Sequence, residues 1–145
     1  MTDNIEKMSA PDFGRSLSGL GINLLAGSVE RELDFLTRVL LFEVLRADKD
    51  FAVVRYQQQI FMVHADHTYS SHPLSGVLSD GVIRGAGIEL RLYGLDPDST
   101  IKRAQDLNYE VFARAEDKPH GLRECYISSP SGYMWVPSTE SFVLG

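Results

Sequence analysis

Two stretches of this chain run through the same order of elements, and that repeat limits the fold more than any single motif does. Gly21 and Gly87 begin β-rich runs 66 positions apart, and Phe42 and Tyr109 stand 67 apart. The first copy predicts a strand over 20–26, a helix from Ser28 to about Leu41, and strands over 42–45, 51–56 and 60–64. Ser28 offers a hydroxyl cap with Glu30 in the first turn, and Val29, Leu33, Leu36 and Leu40 recur at helical spacing. The second copy predicts a strand over 87–93 and a helix opened by Asp96 and Pro97. Ile101, Ala104 and Leu107 form its buried stripe, and Asn108 is its stop. A strand over 109–114 follows, then a hairpin of 123–127 and 133–137. Pro130 presets one turn dihedral of that hairpin, and Gly132 supplies a positive φ.

A repeated supersecondary unit cannot bury its sheet face alone, so the two copies must pair, within one chain or between two. The expected fold is α+β: two tandem β-α-β-β-β modules forming a curved mixed sheet around a concave cleft sized for a small molecule. The expected organisation is a flexible leader over 1–18, module 1 over about 19–66 and a connection over 67–85. Module 2 then covers about 86–138, with a tail over 139–145. The connection is rich in His, Ser, Pro and Gly, and its length makes it a candidate lid.

Composition narrows the function classes. The net charge of −6 disfavours binding to nucleic acid or to an anionic membrane surface, because both need clustered Lys and Arg. No apolar run approaches the ~20 residues of a membrane span. A single cysteine, Cys125, permits no intrachain disulfide, and it lies in a strand without an activating partner for a catalytic thiol. We therefore expect a cytoplasmic protein.

Short motifs add a family resemblance. Ser28-Val29-Glu30-Arg31, followed by Phe35 and Val39-Leu40-Leu41-Phe42-Glu43, resembles the first helix and turn of the vicinal-oxygen-chelate superfamily of glyoxalases, bleomycin-resistance proteins and extradiol dioxygenases. Asp117 to Glu124, followed by Ser129-Pro130-Ser131-Gly132, resembles the closing hairpin of the same superfamily. The resemblance implies divalent-metal ligands at the openings of the two first strands and on the closing strand. Here those positions read Gly21, Gly87 and Val136, which cannot ligate. It therefore points to the bleomycin-resistance-like branch: a homodimer that binds a small molecule, cationic or not, with no metal and no other cofactor.

Strand alternation places Asn23, Glu89 and Arg91 towards the cleft. With His64 and the closing-strand Met134 they form the expected ligand-binding set. Ile22, Leu24, Ile88, Leu90 and Leu92 should face the helices, and Tyr126, Tyr133 and Trp135 should belong to the core. Glu89 and Arg91 are equally well explained as a structural ion pair. Two alternatives stay open: a lyase, isomerase or dioxygenase-type enzyme with a non-standard metal site at His64, His67 and His72, or a metal-free acid–base catalyst using His120 and Glu89. A third is an accessory subunit whose cleft receives a partner's segment.

Overall fold

The computed structural model describes residues 2–68, 73–74, 77–78 and 83–142. A 3-10 helix (Thr2–Lys7) and helix α1 (Ala10–Ser16) come first. The first module follows as β1 (Asn23–Ala26), α2 (Val29–Arg38), β2 (Glu43–Ala47), β3 (Phe51–Tyr56) and β4 (Gln59–Ala65). The second is β5 (Glu89–Tyr93), α3 (Pro97–Asp106), β6 (Val111–Asp117), β7 (Leu122–Ser128) and β8 (Met134–Glu140). The strands form two four-stranded sheets, ordered β1-β4-β3-β2 and β5-β8-β7-β6. In each sheet the first strand runs parallel to its partner and the other pairs are antiparallel. The repeat in the sequence is thus a repeat in topology.

Local chemistry explains most boundaries. The Ser28 hydroxyl accepts the Arg31 N–H at 3.2 Å, and an Asp96 carboxylate oxygen accepts the Ser99 N–H at 2.8 Å, so both long helices start at their sequence caps. Asn108, at φ 62°, stops α3. Helix α2 ends at Arg38, earlier than the apolar spacing suggested. Leu41 turns left-handed there at φ 63°, and the Phe42 N–H reaches back to the Leu36 carbonyl at 2.9 Å. That helix stop has no glycine signal to read. In the β7–β8 turn, Gly132 has φ 86° and its N–H meets the Ser129 carbonyl at 2.9 Å.

One continuous core joins the modules. It collects Leu24, Ala52, Val54 and Val63 from the first sheet, Leu92, Cys125, Ile127 and Trp135 from the second, and the buried stripes of α2 and α3. Trp135 stands edge-on to Phe42 at 5.4 Å and to Phe61 at 6.1 Å, bridging the two sheets. The helices are tied too: Arg103 Nε donates to the Val39 carbonyl at 2.9 Å, and the Tyr109 hydroxyl donates to Asp34. Each sheet therefore has a helix-side face inside this core and an outward face turned away from it.

The outward face of the first sheet departs from expectation. Residues 1–18 were expected as a loose leader, but residues 2–16 are largely helical and lie on that face. Ile5 and Phe13 are buried there with Val53, packed by Met8, Leu45, Phe51, Ile60 and Met62. The Ser9 hydroxyl caps α1, and Arg46 Nη1 ties the segment down through the Met8 carbonyl at 2.7 Å. Scattered polar residues with Pro11 and Gly14 hid two apolar anchors, because a helix of seven residues is too short to show a period. Phe13→Ala should cost about 3 kcal/mol in urea unfolding, as expected for deleting a buried aromatic ring. An unchanged midpoint would show that the segment does not pack.

Candidate functional site

The outward face of the second sheet is built by strand alternation. In register, Glu89 lies beside Met134, Arg91 beside Val136 and Tyr93 beside Ser138, while Glu124 pairs with Ser138 across the antiparallel ladder. Glu89, Arg91, Tyr93, Glu124, Tyr126 and Met134 consequently share one face. Leu90, Leu92, Cys125, Ile127 and Trp135 take the other, in the core.

Arg91 is the centre of this face. Its Nη1 donates to Glu89 at 2.7 Å, and its Nη2 donates to Glu124 and, at 3.5 Å, to Ser138 Oγ. Its Nε reaches the Tyr93 hydroxyl at 3.2 Å. The Tyr126 hydroxyl completes the set by donating to Glu89 Oε2 at 2.9 Å. The Glu124 side chain is only 4% exposed, whereas Arg91 is 22% and Glu89 47% exposed, so the network runs from the sheet interior to the surface. Hydrogen bonds from Arg91 and Tyr126 hold the Glu89 carboxyl below the usual range. Burial alone would pull the Arg91 guanidinium down, but hydrogen bonds to Glu124 and Glu89 outweigh it and hold the group above its ordinary range. Burial, then the bond to Glu89, pushes the Tyr126 phenol up. At neutral pH Glu89 is thus a carboxylate, Arg91 a guanidinium and Tyr126 a neutral phenol.

His120 stands at the rim. The turn that carries it is closed by the Gly121 N–H on the Lys118 carbonyl at 3.1 Å, with Gly121 at φ 91°. Its Nε2 lies 3.4 Å from Glu124 Oε2, and the ring is 52% exposed. His120 therefore meets Glu124, while Glu89, named with it for acid–base catalysis, is engaged by Arg91 and Tyr126. Asn23 and His64 sit on the first sheet instead, 2.5 Å apart, with the His64 ring 4.5 Å from that of Phe51. The expected ligand set thus divides between two sheets: Asn23 and His64 on one, Glu89, Arg91 and Met134 on the other. His67 pairs with Asp50 at 2.5 Å, a different partner from that of His64, and His72 lies outside the described residues.

Three members of the site escaped sequence reasoning. Glu124, Tyr126 and Tyr93 were legible as alternate residues opposite Cys125, Ile127 and Leu92, but Tyr126 was assigned to the core on residue type alone. Trp135 and Tyr133 do pack in or against the core. Ile88 was expected to face the helices but is 64% exposed, because it precedes β5 and has no ladder to orient it.

The sequence matches no protein-family model and no curated protein. Solved structures are informative. TioX from Micromonospora sp. ML1 superposes with a TM-score of 0.60 at 20% identity, over 88% of this chain and 100% of that one. A glyoxalase/bleomycin resistance protein/dioxygenase from Nocardioides gives 0.63 at 15% identity, over 91% and 92%. Lactoylglutathione lyase from Agrobacterium tumefaciens gives 0.61 at 17% identity, over 84% and 92%. The chain has the vicinal-oxygen-chelate fold.

The resemblance in the sequence implied a divalent metal for enzymes of this fold, and the described residues at the implied positions do not fit one. Gly21 and Gly87 were expected to open the first strands, but those strands begin at Asn23 and Glu89. Both of these residues carry donor atoms. Yet Asn23 is engaged by His64, and Glu89 by Arg91 and Tyr126. Val136 remains apolar, and its register partner Arg91 places a permanent cation on the same face. Among the described residues no three His, Cys, Asp or Glu side chains come together as a ligand set. No helix among them is long and apolar enough to cross a membrane.

Proposed function

We propose that this chain binds a small molecule on the outward face of the second sheet without a metal, in a homodimer whose second copy closes the cleft, in the cytoplasm. The observation that carries the reading is the Arg91 network, in which groups from β5, β7 and β8 converge on one half-buried guanidinium. α3 packs on β6, β7 and β8, and its buried residue Ala104 belongs to the shared core, so the helix covers the side opposite this network. Two carboxylates against one guanidinium leave a negative excess, which favours a cationic ligand. The Tyr93 ring, 5.7 Å from the Arg91 guanidinium carbon, and the Met134 thioether add apolar wall.

Thermal unfolding with cationic glycopeptides of the bleomycin class and simple diamines tests this. A ligand at a hundred times its Kd should add about 2.7 kcal/mol of stability. Glu89→Gln should weaken that ligand about tenfold while leaving the fold intact. If no cation raises Tm, or if Glu89→Gln responds as the wild type does, the reading is wrong. A second reading, acid–base catalysis, draws on the contact between His120 and the buried Glu124. It requires a substrate whose turnover, and not its binding, disappears in His120→Ala.

A further inference from the structure

We infer that Glu32 is a proton-operated latch: as a neutral carboxyl it holds the turn of the β7–β8 hairpin and the 84–87 turn against α2, and as a carboxylate it releases them. Glu32 lies in the first turn of α2 and is 0% exposed. Its Oε1 accepts the Ser131 N–H at 3.0 Å, while Oε2 has no partner at hydrogen-bond distance among the described residues, with only the Ser129 and Ser131 hydroxyls turned towards the carboxyl. A fully buried carboxyl with one unanswered oxygen is far easier to keep neutral than charged.

The turns beside Glu32 also have bonds of their own, among them the Tyr133 N–H on Ser129 Oγ at 3.1 Å and the Ile88 N–H on the Gly85 carbonyl at 3.1 Å. The hairpin turn closes through Ser129 N–H on the Tyr133 carbonyl and Gly132 N–H on the Ser129 carbonyl, each at 2.9 Å. The 84–87 turn joins it through Gly85 N–H on the Gly132 carbonyl at 3.0 Å. Their contact is tight: a Cβ on Gly85 would stand 2.9 Å from the Tyr133 ring. The charged and titratable groups facing Glu32 are Arg84, from the 84–87 turn, and Tyr133, from the start of β8. The hairpin itself presents only the Ser129 and Ser131 hydroxyls. Arg84 is committed elsewhere, to Asp66 through two bonds of 2.7 Å and to the Leu25 carbonyl at 2.8 Å. Tyr133 donates to the same carbonyl at 2.7 Å. Neither places a cation on Oε2.

Burial accordingly pushes Glu32 above its ordinary value of 4.5, and Ser129, Ser131 and Arg84 only partly counter it. A raised carboxyl stabilises the closed turn fully below its ordinary value, and that stability is lost as pH rises through the raised one. The released segment ends the hairpin that presents Tyr126 and Met134, so the latch acts next to the proposed binding face. It does not depend on any ligand being there.

Amide hydrogen exchange between about pH 5 and 8 tests the latch. Exchange of a transiently opened amide rises about tenfold per pH unit by base catalysis alone. If opening also ionises a buried carboxyl, the slope of the Ser131, Gly132 and Gly85 amides approaches about a hundredfold per unit between the ordinary value of 4.5 and the raised Glu32 midpoint, and returns to tenfold above it. The Phe13 amide, in α1 on the outward face of the first sheet, should open without uncovering Glu32 and keep the tenfold slope, and Glu32→Gln should return the turn amides to tenfold. A tenfold slope at the turn in the wild type, or a steeper one surviving in Glu32→Gln, overturns the latch. So does a carboxyl-carbon NMR titration of the wild type in which Glu32 titrates with the exposed glutamates, a test that needs no variant to fold.

Discussion

Trp135→Ala is expected to lower the unfolding free energy by about 3–5 kcal/mol, the range for removing a buried aromatic side chain. Trp135 is 0% exposed and is the ring on which Phe42 and Phe61 of the first module meet the second. Deleting it opens a void where the sheets join, and neither sheet can collapse into that void without losing its own helix contacts. Trp135→Phe should cost much less than alanine, because the buried indole Nε1 has no acceptor among the described residues and its removal strands no partner there. Urea unfolding of the three proteins reads both effects. If alanine and phenylalanine cost the same, the indole ring is not the joint between modules.

Arg91→Met is expected to cost roughly 3 kcal/mol, for a different reason. Its loss leaves the 4% exposed Glu124 carboxylate without its guanidinium, with His120 as its remaining ion-pair partner among the described residues. The double variant Arg91→Met, Glu124→Met should recover most of that cost, since no charge is then left buried. A pH dependence follows for Glu89 in the wild type: its lowered carboxyl stabilises the fold above the usual value of 4.5, and that contribution is lost as pH falls through the lowered one. A double variant no more stable than the single would mean that Glu124 is adequately served without Arg91.

The sequence carried the architecture well because its signals were local. Ser28, Asp96, Asn108 and Gly132 each act within one turn of chain, and each stands where its chemistry predicts. Alternation along β5 likewise sufficed to put Glu89 and Arg91 on one face and Leu90 and Leu92 on the other. The site was less legible. Glu124 and Tyr126 belong to it through pairings 33 and 37 residues away in sequence, to Arg91 and Glu89, which no window along the chain contains. Reading Gly21 and Gly87 as strand openings misplaced both first strands by two residues, because β1 starts where β4 offers it a register, at Asn23 beside Met62.

By itself, then, the order of residues determined the two modules, their helix caps, the closing hairpin and the inward or outward sense of most strand positions. Each follows from backbone preference or from a period of two or 3.6, and these need only neighbouring residues. Tertiary structure alone decided that residues 2–16 cover one outward face, that the residues expected to bind a ligand divide between two sheets, that Arg91 collects its partners from three strands, and that Glu32 is sealed beneath a turn 99 positions away. Those outcomes depend on which distant surfaces exclude water together, and burial of that kind has no signature in the residues flanking it.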